Sequence, residues 1–171
     1  MKCQSLILLA MVCFAAICRS QTTNSFGIYL TAEPVDGNHL DYRKMDWLHV
    51  KLETTPVISE ADILAYDLTN HWLTLNAEVF KRLPAPPVWG RPFVVVADGE
   101  RVYLGAFMTP ASSIPAPVPS ILLWRSPSRT NLPPDTLQID RAYPTPSFGV
   151  GPDPRSDERI KRTLAALHKT K

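Results

Sequence analysis

The amino-acid sequence predicts an α+β fold: one small domain with a mixed or antiparallel sheet, a β-hairpin at its centre and two or three short helices. Three observations predict it. Two strand-like runs flank Asp98-Gly99, a pair suited to the two-residue type I′ turn because both positions tolerate positive φ. Seventeen prolines among 171 residues fall in clusters, and each cluster interrupts regular structure because proline lacks an N–H and fixes φ. Ile160, Leu164 and Leu167 share one stripe near the end of the chain, with Arg159, Lys161, Arg162 and Lys169 elsewhere, the pattern of a helix with one apolar face.

Residues 1–20 read as a secretory signal. Lys2 precedes a thirteen-residue apolar run, Leu6 to Cys18, and Arg19-Ser20-Gln21 then turn polar; about 20 apolar residues are needed to span a bilayer. Cleavage after Ser20 leaves Gln21 first, whereas a bacterial lipoprotein keeps Cys18 as its lipidated first residue. All three cysteines, Cys3, Cys13 and Cys18, lie in this segment. Cleavage at Ser20 therefore leaves a mature chain without disulfide, thiol nucleophile or cysteine metal ligand. It also removes Lys2 and Arg19, so the 18 basic residues fall to 16 against 16 acidic. A neutral chain carrying a modestly basic end lacks the dense positive surface that nucleic acid requires.

Within residues 21–143, Phe26 to Ala32 predicts a first strand. Trp47 to Leu52 alternates, Leu48, Val50 and Leu52 on one side and Trp47, His49 and Lys51 on the other, which predicts a half-buried strand. Ser59 to Asp62 has the form of a capping box for one helical turn. Ile63 to Tyr66 and His71 to Leu75 read as extended, and Asn76 caps a helix over Ala77 to Leu83 that Pro84 ends. In the hairpin, 92–107, the turn sets Val96 opposite Arg101, Val95 opposite Val102 and Val94 opposite Tyr103. Phe93, Val95, Val102 and Leu104 then share one face, and Val94, Val96 and Tyr103 the other. Ile121 to Trp124 and Thr136 to Asp140 add edge strands. Residues 144–155 read as a proline-rich linker, and Ser156 or Asp157 caps a basic amphipathic helix in 156–171.

The stretches PVISEADI, LTLNAEVFKRL and GRPFVVVADGERVYLGAF, between residues 56 and 109, resemble the periplasmic head region of the SecD/SecDF translocation subunits. They also resemble small uncharacterised bacterial exported proteins that share this hairpin. The resemblance implies a split β-α-β sheet and a binding role in the cell envelope. It supplies no catalytic residue, and the transmembrane helices of SecD have no counterpart in this sequence.

No constellation selects a reaction, a cofactor or a metal. His39, His49, His71 and His168 sit in separate segments without zinc-ligand spacing, and no Gly-x-Ser-x-Gly elbow surrounds Ser112-Ser113. The feature that points to function is aromatic. Trp89, Tyr103, Phe107 and Trp124 lie near the proline runs at 84–87 and 110–119, the composition of grooves that hold extended peptides. The expected role is a non-enzymatic binding or accessory module of the cell envelope, its partner an envelope protein or an extended peptide. Membrane contact is expected only through a lipid on Cys18 or through the basic tail. The alternative is a small secreted hydrolase with a site assembled from Asp62, His71 and Ser112.

Overall fold

The computed structural model describes residues 25–33, 35–37, 40–123 and 132–171; the leader with Cys18, His39 and Trp124 lie outside them. Eight strands, β1 (Phe26–Leu30), β2 (Ile58–Ser59), β3 (Ile63–Asp67), β4 (Trp72–Leu75), β5 (Arg91–Ala97), β6 (Glu100–Met108), β7 (Ser120–Leu122) and β8 (Thr136–Asp140), precede one α-helix, α1 (Glu158–Ala166). They form one mixed sheet in the order β2-β1-β5-β6-β7-β8-β4-β3. Each neighbouring pair is antiparallel except β6 with β7, which is parallel.

The two edge strands of this sheet are consecutive in sequence. Only the Glu60–Asp62 turn separates β2 from β3. A flat eight-stranded sheet with strands about 4.8 Å apart would hold its edges roughly 34 Å from each other, yet the chain from Ser59 to Ile63 reaches no more than about 14 Å. The sheet therefore curls until its edges nearly meet. One interior cluster accordingly draws buried side chains from all eight strands, among them Ile28, Ile58, Ile63, Leu73, Phe93, Phe107, Ile121 and Ile139. Ile160 and Leu164 of α1 join it, and Leu167 packs against it, so the predicted apolar stripe of the helix faces the core. A second cluster covers the outer face, where Val94, Leu104, Ala106 and Met108 lie under Tyr42 and Ala116.

The hairpin forms as the turn chemistry requires, with φ of 54° at Asp98 and 76° at Gly99. Its register departs from the expectation after one pair. Val96 faces Arg101, but Val95 faces Tyr103 and Val94 faces Leu104, with the irregularity between Val95 and Val96. Val102 is the extra residue of a β-bulge, and one inserted residue exchanges the faces of everything beyond it. Tyr103 and Phe107 consequently point into the interior cluster, while Leu104 joins Val94 on the outer one.

Three further expectations are corrected. Among the described residues there is a single α-helix rather than two or three: Glu60–Asp62 and Ala77–Lys81 are 3-10 turns. Both predicted caps are present, Ser59 with Asp62 and Asn76 accepting from the Glu78 amide at 3.2 Å. Pro84 leaves the second too short to become α-helical. Trp47 to Leu52 is no strand. Asp46 organises a turn there, its carbonyl accepting from Val50 N at 2.9 Å and its carboxylate bonding His49 Nδ1 at 2.9 Å. Only Leu52 makes a bridge, to Thr31. Finally, β7 and β8 lie inside the sheet, and the edges are β2 and β3.

Candidate functional site

The parallel pairing of β6 and β7 begins at Ala106 with Ser120, where Ala106 N donates to the Pro119 carbonyl at 2.9 Å. One rung earlier, the same register would bring residue 119's N–H to the Leu104 carbonyl and the Leu104 N–H to the carbonyl of residue 117. Residue 119 is proline and has no N–H to give. The Pro117 carbonyl accepts from Val150 N instead, at 3.4 Å. Ahead of Ala106 the two strands therefore part, and the Leu104 amide and carbonyl face the gap with no strand partner among the described residues.

That gap is a cleft of about 440 Å³, lined by Tyr42, Arg43, Met45 and Trp47 on one side and by Pro117, Val118, Pro119, Arg141, Gly149, Val150, Pro152 and Pro154 on the other, with Val102 to Leu104 between. Each wall is tied down. Arg101 Nη1 donates to the Trp47 carbonyl at 2.7 Å, and the Tyr42 hydroxyl donates to the Trp89 carbonyl at 3.2 Å. Arg141 Nη2 donates to the Gly151 carbonyl at 2.7 Å, which holds residues 149–151 against the end of β8. Val150 nevertheless leaves 64% of its surface exposed.

The four aromatic residues singled out from the sequence are placed differently from one another. Phe107 is wholly interior, its ring centroid 4.8 Å from that of Phe93. Tyr103 belongs to the cleft wall, although its ring packs in the interior cluster and burial raises its pKa. Trp89 is half-buried: its Nε1 donates to the Val35 carbonyl at 3.2 Å, and its ring fills the space that a side chain on Gly37 would need. Trp124 is outside the described residues.

Asp62, His71 and Ser112 are not brought together. Asp62 accepts from Ser59 and pairs with Arg82. His71 follows the far end of β3, so the length of that strand, roughly 17 Å, separates it from Asp62. Ser112 Oγ accepts from Thr109 N at 3.0 Å in the loop after β6.

His71 has an environment of its own. It is 8% exposed, adopts φ of 54°, and its Nδ1 shares a hydrogen bond with the Tyr66 hydroxyl at 3.0 Å. Burial, and secondarily the charge of Arg155, lowers its pKa, while Asp153 and Asp67 oppose that shift. Arg155 is held by Asp153 and donates to the Ile139 carbonyl at 2.7 Å. Hydrogen bonds from Arg155 pull the Asp153 pKa down to about 2. Among the described residues no group of three or more His, Cys, Asp or Glu side chains could hold a metal ion, and no helix is long and apolar enough to cross a membrane.

No family model, curated protein or solved structure matches this chain. Its own geometry carries the functional reading. The residues that sequence reasoning missed are Tyr42, Arg43, Trp47 and Arg141, with the Leu104 backbone. The available signal was the Pro117-x-Pro119 spacing just before a strand, which removes donors at alternate positions along one edge.

Proposed function

We propose that this is an exported binding module that takes an extended peptide segment into the cleft beside β6. The Leu104 edge carries the reading. A buried backbone amide and carbonyl require partners, and Leu104, 4% exposed, turns both toward the cleft. An extended peptide supplies a donor and an acceptor at strand spacing, which is how strand addition gains affinity. Trp47 and Met45 on one wall and the prolines on the other provide apolar surface for its side chains. The signal-like leader and the resemblance of residues 56–109 to a periplasmic head region support an envelope setting. For the hydrolase alternative no observation speaks, because its three residues lie in separate parts of the fold.

The test is a titration of the isotope-labelled domain with a pool of unstructured hexapeptides rich in Leu, Val and Pro, followed through backbone amide signals. The Leu104 amide and the Trp47 indole should shift together and saturate. Trp47→Ala should abolish the saturation while leaving the remaining spectrum folded. Saturation at sites away from β6, or none, would overturn the proposal.

A further inference from the structure

Resting on that reading, we infer that the peptide bound in this cleft carries a carboxylate, seated by Arg43 and Arg141. Among the described residues these are the two charged ones of the lining, and no acidic side chain lies among the others. The Arg43 side chain makes no hydrogen bond or ion pair among the described residues; the carboxylate nearest in sequence, Asp41, is engaged by the Arg43 amide at 3.0 Å and by Lys44 at 3.4 Å. Asp46, beside Trp47, is taken by His49. Arg141 uses one N–H on the Gly151 carbonyl, and that bond aims the guanidinium rather than neutralising it. Its Nε and Cγ lie against Gly149, where a Cβ would come within 3.0 Å, so the side chain is laid along the wall.

A guanidinium keeps several donors in a rigid fork that matches a carboxylate. Apolar walls focus the field of the two charges toward the gap. The matching of 16 basic with 16 acidic residues beyond the leader makes this a local surplus rather than a property of the whole surface. A terminal carboxylate and a Glu or Asp side chain both meet the requirement.

Four hexapeptides of one Leu-Val-Pro-rich sequence separate the sources: free or amidated at the C-terminus, each with Glu or Gln at an internal position. Affinities are read by fluorescence anisotropy at low and at moderate salt. Peptides with a carboxylate at the productive position should bind at least tenfold tighter than their neutral counterparts. Arg43→Gln with Arg141→Gln should bring the ratio of charged-peptide to neutral-peptide affinity to about one, and added salt should narrow that ratio in the parent. A preference set by the C-terminus identifies a terminal carboxylate, and one set by Glu identifies a side chain. Equal binding of all four overturns the inference while leaving the peptide reading intact. Should no peptide bind, that reading falls, and hexanoate against hexanamide, followed at the Arg43 and Arg141 Nε–Hε signals, decides the carboxylate separately: saturation by hexanoate alone upholds it, and no difference overturns it.

Discussion

Gly105 is the position where two rules of strand chemistry disagree in sign. In a strand, glycine gives away conformational entropy and side-chain packing, so Gly→Ala on propensity alone should stabilise by roughly 0.5–1 kcal/mol. Gly105 lies opposite Phe93 in the β5–β6 ladder, and the Phe93 ring covers it. A Cβ there would stand 2.3 Å from two atoms of that ring and 2.8 Å from the Pro119 carbonyl. The ring is wholly buried and in contact with Phe107, and the Pro119 carbonyl is held by Ala106 N, so neither neighbour can move freely. Overpacking of this kind typically costs about 1–3 kcal/mol. Gly105→Ala should therefore destabilise by about that amount, read as a lower urea midpoint at unchanged slope. Phe93→Leu, which shortens the ring, should reduce the penalty of the alanine in the double variant. A neutral or stabilising Gly105→Ala, or a penalty unchanged in the Phe93→Leu background, would refute the reasoning.

Two pH effects follow from His71 at the β3–β4 turn and from the Asp153–Arg155 pair whose charges act on it. Tyr66, Asp67, Asp153 and Arg155 are the groups whose hydrogen bond or charge acts on His71, and its folded pKa lies below the ordinary 6.5, so the unfolded chain binds the proton first. Stability should be full above about pH 6.5 and decline as pH falls toward the lower folded value. His71→Asn, which tolerates the positive φ, should flatten urea midpoints across that window. Asp153, at about 2 in the folded protein, acts in a separate range: its contribution is present above about pH 4 and is lost as pH falls toward 2. Asp153→Asn should remove that part of the acid transition in a thermal scan series.

The local features were legible in the sequence where a few adjacent residues decide the outcome. Asp98-Gly99 dictated its turn, Ser59 with Asp62 and Asn76 dictated their caps, and Ile160, Leu164 and Leu167 declared the buried face of α1. What was illegible depends on residues far apart. The Val102 bulge cannot be read from an apolar run whose two faces are alike, so the expected register sets Tyr103 opposite Val94 where the structure sets it opposite Val95. At Trp47 to Leu52 the alternation was genuine, but capping by Asp46 held the chain in a turn and left Leu48 54% exposed. The cleft draws on residues 42–47, 102–104, 117–119 and 141–154, four segments distant in sequence that the neighbouring strands β6, β7 and β8 bring side by side.

Pro119 ties the fold to the proposed site, and replacing it shows how. Alanine at 119 would supply the N–H that the Leu104 carbonyl lacks, extending the β6–β7 ladder by one bond across the cleft floor. One hydrogen bond contributes about 0.5–1.5 kcal/mol, and the freer unfolded chain offsets about 0.4–1 kcal/mol of it. Stability should thus change little, while the residue 119 amide becomes protected from hydrogen exchange and peptide binding weakens. The near-balance separates the site from the scaffold: a variant as stable as the parent that no longer binds has lost its open edge, not its fold. A freely exchanging amide at 119 would mean that the strands part for a reason other than the missing donor. Undiminished peptide binding alongside a protected amide would remove the Leu104 carbonyl from the recognition surface.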